Sequence, residues 1–231
     1  MNDTLQNILF VAPVLLFSVI AHEYAHGYAA LRQGDPTAQQ LGRLTWNPVK
    51  HIDPFLTILM PLMMGLASGW QVMLGGAKPV PVDPGNYRNL RRGDIIVSLA
   101  GVATNLVLAI LFTILIALVG VVGRAVPAAG LTVGILQIMM IYGVAINLML
   151  IVFNLMPIPP LDGSHVVKYL LPPRLSIKYQ ELGRYGFVIL IAMLWFGGGF
   201  LRTWMRPAFI AQGALLQTVS PLIHPTVREL R

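Results

Sequence analysis

The chain has 231 residues, of which 56% are hydrophobic and only 11% are charged. About a quarter of the residues in a soluble domain are charged, so this composition excludes a soluble globular protein. The net charge of +7 is expected to come from basic loops on the cytoplasmic side of a membrane. A nucleic-acid-binding face is not expected, because no basic run alternates with exposed aromatic residues. Cysteine is absent, which excludes a disulfide framework.

Apolar stretches long enough to cross a bilayer, which takes about 20 residues, occur four times. They cover residues 5–31, 95–122, 131–156 and 185–204. We therefore predict an all-α polytopic membrane protein, organised as one integral-membrane domain over residues 1–231. Residues 208–224 are also apolar but contain Pro221, which fits either a short span or a helix in the interface. No basic residue precedes the first span, so it is not expected to be a cleavable signal peptide.

Residues 55–74 form a further apolar stretch, which one proline and two glycines interrupt. Basic residues flank it on both sides, and the positive-inside rule then places both flanks in the cytoplasm. These residues are Arg32, Arg43 and Lys50 before the stretch, and Lys78, Arg88, Arg91 and Arg92 after it. We expect a re-entrant segment, whose broken backbone protein must cover. The alternative is a short, complete span.

The first span ends in the sequence HEYAH, residues 22–26. Residues four apart lie on one face of a helix, so His22 and His26 can bind one Zn²⁺ while Glu23 activates a water. Ionisable side chains inside a membrane span cost about 2.5–3.5 kcal/mol each and therefore indicate function. At about 1.5 Å per residue, the site is expected within the bilayer, nearer the cytoplasmic face. The alternative is a His–Glu–His cluster that only hydrogen-bonds between helices.

A third ligand is expected, because catalytic zinc uses three protein ligands and one open position. The candidate is Asp162 in the broken segment 157–171, which begins with three prolines in NLMPIPPLDG. Those prolines end the span at residue 156. Asp162 reaches the depth of the histidines only if an even number of crossings separates them, which also favours a re-entrant segment at 55–74. By itself, Asp-Gly is as typical of a turn or helix cap.

These motifs resemble the site-2 protease family of intramembrane zinc metalloproteases. HEYAHGYAA is similar to the family's zinc-binding helix, and NLMPIPPLDG to its Asn…Pro…Leu-Asp-Gly motif. The segments LGRLTWNPVKHIDPF, GGAKPVPVDPGNYRNLRRGD and SLAGVATNLVLA resemble the short bacterial branch, which has no PDZ domain. One departure is Val102, where the family usually has proline after the glycine.

The resemblance implies a core of three spans, with one zinc ion toward the cytoplasm. It makes His22, His26 and Asp162 the zinc ligands and Glu23 the catalytic base. It also places Asn154 near the substrate cleft. The implied substrates are transmembrane proteins, cleaved in the cytoplasmic membrane of a bacterium.

A tetrahedral oxyanion needs a further donor, for which His165, Asn154 and Asn147 are candidates. For the two asparagines, hydrogen bonding between helices is the alternative. His51 is a weaker candidate for a supporting role. The stretch AKPVPV, residues 77–82, is a candidate for pairing with an unwound substrate strand, or else a stiff loop on the headgroups.

Three rival functions would use the same residues. A membrane zinc hydrolase acting on a non-peptide substrate is not excluded by the sequence. A metal transporter is less favoured, because residues 95–123 contain no ionisable group. A binding protein without catalysis would have no need of Glu23.

Overall fold

The computed structural model describes residues 3–60, 62–63, 66 and 76–230. This part of the protein is all-α, with no strand among its residues. Its helices are α1 (Asp3–Gln33), α2 (Thr37–Gln40), α3 (Leu90–Ala125), α4 (Gly130–Asn154), α5 (Asp162–Val167), α6 (Pro173–Glu181), α7 (Gly186–Phe196), α8 (Gly198–Val219) and α9 (Thr226–Glu229). Helical turns of 3₁₀ type lie at Pro48–His51, Pro84–Asn86, Pro127–Ala129, Leu182–Tyr185 and Ser220–Leu222, and a π-helical turn lies at Pro54–Leu59.

Three of the described helices are long and apolar enough to cross a membrane. These spans are Ile8–Gln33, Leu90–Ala125 and Pro127–Asn154. A fourth crossing is possible where Pro173–Met193 and Gly198–Leu222 meet at a bend of 93°. The fold class predicted from the sequence is confirmed, and the chain is an integral membrane protein.

Helix α1 ends at a glycine, and its end is not the point at which the apolar sequence stops. Gly34 has φ +114°, a backbone conformation that glycine adopts without strain. Its N–H donates to Leu31 O at 3.1 Å, and Asp35 N–H donates to Ala30 O at 2.9 Å. These two bonds form a Schellman motif, which satisfies carbonyls that the helix end would leave open. The helix therefore continues two residues beyond the predicted limit at Leu31.

The apolar stretch 185–204 is divided between two helices. Helix α7 ends at Phe196 and α8 begins at Gly198, within the run Gly197–Gly199. Residues 208–224 belong mostly to α8, which continues to Val219. Most of the stretch 55–74 lies outside the described residues. Whether residues 55–74 and 208–224 cross the bilayer, and the one-domain organisation, stay predictions.

The chain divides into two compact units, Val19–Gly101 and the remainder, Met1–Ser18 with Val102–Arg231. The larger unit has an aliphatic core between α3, α4 and α8. Its fully buried members include Ala109, Ile116 and Val144. Trp204 anchors α8 to α4 by donating from Nε1 to Val152 O at 2.8 Å.

Polar groups buried in this larger unit are paired with one another. Asn105 Nδ2 donates to Asn147 Oδ1 at 2.7 Å, and Asn147 Nδ2 donates to Ser18 Oγ at 2.9 Å. Gln137 donates to Ile116 O and Leu222 O, both at 2.9 Å, and accepts from His224 N–H. These bonds join the helices where lipid and core supply no water as a partner.

The smaller unit, Val19–Gly101, holds the C-terminal half of α1 and the loops that follow. Ala30, Tyr87 and Val97 form its small apolar core. Asp35 is fully buried and accepts hydrogen bonds from Asp83 N–H at 2.7 Å and Asn86 Nδ2 at 2.9 Å. The loop that precedes α3 is therefore tied back to the end of α1.

Candidate metal centre

The two histidines of HEYAH lie one turn apart on α1, as the spacing predicted. Their Nε2 atoms are 2.9 Å apart, and the rings meet edge to face, with centroids separated by 4.5 Å. His22 is 6% exposed, and His26 is half-buried. Two lone-pair nitrogens at this distance repel each other unless a proton or a metal ion lies between them.

The tautomer of His26 follows from its second ring nitrogen. Nδ1 lies 2.7 Å from Val97 O. Because a carbonyl only accepts, Nδ1 carries the proton and Nε2 keeps its lone pair. Metal-binding histidines are oriented in this way, since the bond fixes the ring and makes the ligand more basic.

Gly101 leaves room for the histidine pair. A Cβ at this position would lie 2.4 Å from His22 Cε1 and 2.5 Å from His26 Nε2, far inside van der Waals contact. Val97 and Gly101 are four residues apart and therefore share one face of α3. One turn of α3 thus supplies a carbonyl acceptor and a gap, both directed at the two imidazoles.

The carboxylate of Glu23 accepts a hydrogen bond from a backbone N–H that lies outside α1. Val80 N–H donates to Glu23 Oε2 at 2.7 Å, which leaves Oε1 to accept a proton. The carboxylate is half-buried, and charge-assisted bonds of this kind are short and comparatively strong. This contact gives the glutamate a fixed orientation beside the histidines.

Two of the four backbone N–H groups of AKPVPV donate within the protein. Lys78 N–H donates to His51 O at 2.8 Å, Val80 N–H donates to Glu23, and the two prolines have no N–H. The N–H groups of Ala77 and Val82 are the two that could pair with a substrate strand. Strand pairing by this stretch stays a prediction.

Asp162 is the first residue of the short helix α5 and is half-buried. The next residue, Gly163, packs against the end of α4. A Cβ on Gly163 would lie 2.3 Å from Leu155 O, so only glycine permits this approach. His165 lies one turn further along α5, with Nδ1 3.5 Å from Lys168 Nζ.

The structure gives Asn147 a structural role. It is fully buried and spends both amide protons, on Ser18 Oγ and on Gly143 O at 2.8 Å. Both bonds favour the alternative of hydrogen bonding between helices, and a role for Asn147 in the substrate cleft stays a prediction. Asn154 is half-buried and uses one amide proton on Leu150 O, which leaves a second proton available.

His51 is 1% exposed and lies 2.8 Å through Nε2 from Thr45 O. It is therefore a buried histidine of the loop that follows α1. The role suggested for it from the sequence stays a prediction.

The histidine pair fits zinc. Two nitrogens bound tetrahedrally at about 2.0–2.1 Å from Zn²⁺ are separated by about 3.3 Å. The observed 2.9 Å is within a few tenths of an ångström of this value, and His26 has the tautomer that a ligand needs.

Comparison with known proteins identifies the family. The model of Peptidase family M50 matches residues 10–133 and 117–196. The chain belongs to this family. It is a zinc metalloprotease with membrane-spanning helices, as the resemblance to site-2 proteases implied.

Two relatives illustrate the match, and both bear the name "Putative zinc metalloprotease". YwhC of Bacillus subtilis is 39% identical over 184 residues, which is 80% of this chain and 79% of the relative. Rip2 of Mycolicibacterium smegmatis is 32% identical over 199 residues, which is 83% and 71% of the two chains. No solved structure matches the chain. The family favours the protease over the three rival functions.

Several residues around the histidines were not found from the sequence. Val97 and Val80 act through backbone atoms, which leave no mark on residue type. Gly101 had a visible signal, since a glycine in the interior of a long apolar helix often marks a close approach.

Proposed function

We propose that this protease cleaves peptide bonds within or beside the transmembrane segments of membrane proteins, with Glu23 as general base. The observation that carries the proposal is the position of Glu23. It lies next to two converging imidazoles on a membrane helix, and a backbone donor holds one of its carboxylate oxygens. Metal binding alone would not require this carboxylate.

Three residues are proposed to hold the zinc ion. Two neutral imidazole nitrogens and one anionic carboxylate oxygen are a ligand set that suits Zn²⁺. In this chain His22, His26 and Asp162 can supply that set. Three protein ligands leave a fourth position for water and substrate, as catalytic zinc requires.

When bound, zinc would lower the pKa of water and polarise the scissile carbonyl. Glu23 takes a proton from the attacking water at Oε1 while Val80 N–H holds Oε2. The water oxygen then adds to the carbonyl carbon. As the C–N bond breaks, Glu23 returns the proton to the leaving amine.

The developing oxyanion needs a donor, for which we favour Asn154 and His165 over Asn147. Asn154 has one amide proton not used within its helix. His165 is half-buried on the same short helix as Asp162.

The substrate class follows from the depth of the site. A peptide bond in a membrane helix is hydrogen-bonded within the helix and covered by side chains, so cleavage requires local unwinding. We infer that substrates carry small or helix-breaking residues near the cleaved bond.

The active site is proposed to face the cytoplasm of a bacterial cytoplasmic membrane. Basic residues support this orientation, because they concentrate in the loops 32–54 and 76–93 on either side of the 55–74 stretch. Only Arg124 lies between α3 and α4, which favours the opposite, external side for that loop.

The test compares membranes from cells expressing the protein or its Glu23→Gln variant, by sequencing new protein termini and measuring zinc in the purified proteins. Glutamine keeps the size and the acceptor for Val80 but cannot take a proton. We expect equal zinc content, and termini within transmembrane segments only with the unaltered protein. The same new termini in both samples would reject Glu23 as the general base. New termini confined to soluble domains would reject cleavage within the membrane.

A further inference from the structure

Residues Lys78–Asp83, which we call the strap, are tied to the smaller unit at three places. At its start, Lys78 N–H donates to His51 O, and Arg43 Nη2 donates to Lys78 O at 2.9 Å and Pro79 O at 3.2 Å. In its middle, Val80 N–H donates to Glu23. At its end, Asp83 N–H donates to Asp35 Oδ2.

The middle of the strap is docked on α1 by both backbone and side chain. Val80 is 6% exposed and packs on Gly27, where a Cβ would lie 2.9 Å from Val80 Cγ1. Gly27 and Glu23 are four residues apart and so share one face of α1. Pro79 and Pro81 fix their φ angles, so Val80 N–H is presented by a stiff backbone.

The two ends of the strap are held by charged side chains, the guanidinium of Arg43 at its start and the carboxylate of Asp35 at its end. The Asp35 carboxylate accepts from Asp83 N–H, Asn86 Nδ2, and the N–H and Oγ1 of Thr37. Arg43 donates from one guanidinium nitrogen, Nη2, to two successive carbonyls, which the two N–H groups of that nitrogen permit. Neither residue is expected to touch zinc or substrate in the proposed mechanism.

We propose that Arg43 and Asp35 are positioning residues for Glu23, acting through the strap and its Val80 N–H. This inference rests on the proposed role of Glu23 as the base. The strap fixes Oε2 of the carboxylate, so Oε1 keeps one direction. Loosening either end lets the carboxylate turn, and small errors in position cost about 10–100-fold in rate.

The test measures amide hydrogen exchange in the full-length, zinc-loaded protein in detergent. Within residues 79–83 only Val80, Val82 and Asp83 carry exchangeable amides, because the other two residues are prolines. Arg43→Ala is expected to speed exchange in this peptide about tenfold, since protection reports local opening. Arg43→Lys should restore part of the protection, and Arg32→Ala, the removal of an exposed arginine nearby, should change nothing.

The same variants are compared in the terminus assay described for Glu23→Gln. We expect Arg43→Ala to lower cleavage about tenfold or more with zinc content retained, and Arg43→Lys to recover part of it. Normal exchange or normal cleavage in Arg43→Ala would overturn the inference. So would a loss of zinc that accounts for the lost cleavage.

Asp35→Asn provides a second route if Arg43→Ala does not fold, and the same two results are expected of it. Glu23→Gln separates the two proposals. Cleavage by Glu23→Gln would reject Glu23 as the base, whatever the results with the strap variants. An inactive Glu23→Gln together with fully active Arg43→Ala and Asp35→Asn would reject the strap alone.

Discussion

Gly101 Cα approaches the imidazole of His22 so closely that no side chain fits between them. The same glycine lies against Nε2 of His26, and a Cβ would also be 2.6 Å from His22 Nδ1. Carbon and nitrogen atoms that are not bonded keep about 3.5 Å apart. A single methyl group would therefore displace the two rings that form the candidate zinc site.

Gly101→Ala is accordingly expected to reduce the zinc content of the purified protein about tenfold or more, because displaced ligands typically cost this much in metal affinity. Elemental analysis gives zinc per protein. Gly213→Ala is the matched control, since nothing lies within 4 Å of a Cβ there. Full zinc occupancy in Gly101→Ala would show that the rings are not held as described.

Asp162→Ala is expected to lower zinc content, because two imidazoles alone leave the metal one protein ligand short. Glu181→Ala removes an exposed carboxylate from α6 and should leave zinc unchanged. Undiminished zinc in Asp162→Ala would remove this residue from the ligand set while leaving the histidine pair intact.

Asn147→Ala tests a structural role against a catalytic one. The substitution removes the buried bonds that Asn147 makes to Asn105 and Ser18, and such bonds contribute about 1 kcal/mol in membrane proteins. We expect a lower midpoint of thermal denaturation in detergent, with cleavage retained at low temperature. Thr203→Ala, which loses an exposed hydroxyl bond to Gly199 O, is the control. Lost cleavage at unchanged stability would support a role for Asn147 in the substrate cleft.

Side-chain chemistry and hydropathy together predicted the helix class and the histidine pair. Two imidazoles four residues apart need only one helical face, which is a local property. The carbonyl of Val97 and the N–H of Val80 could not be predicted as contacts of the site. Every residue has a backbone carbonyl and every residue except proline has a backbone N–H, so the residue type gives no signal. The ends of the helices are intermediate. Gly34 after α1 and the run Gly197–Gly199 between α7 and α8 are signals for helix ends in the sequence. Hydropathy alone does not detect them, because the apolar stretch continues up to or across these glycines.

Asp35 predicts a pH dependence of stability. Burial raises the pKa of its carboxyl, but the bonds from Thr37, Asp83 and Asn86 outweigh this and hold the pKa below its ordinary 3.8. The unfolded chain therefore binds the proton more readily, so the stabilisation is complete above pH 3.8 and is lost as the pH falls through the folded pKa.

The measurement compares the thermal midpoints of the wild type and Asp35→Asn between about pH 7 and about pH 3. We expect the wild type to be more stable at the upper end and the difference to shrink only at the acid end. A difference that stays constant over the whole range would mean that the charge of Asp35 does not contribute.

The orientation of the membrane helices can be tested with single thiols, because the natural chain has no cysteine. Gly85 lies in the loop before α3, and Ala128 lies in the turn after it; both are exposed. Helix α3 has 36 residues, or about 54 Å at 1.5 Å per residue, which exceeds the bilayer core. One crossing therefore separates the two positions, and with the active site toward the cytoplasm Gly85→Cys should resist a membrane-impermeant maleimide in intact cells. Ala128→Cys should react. The opposite pattern would place the loop 76–93 outside and favour a complete span at residues 55–74.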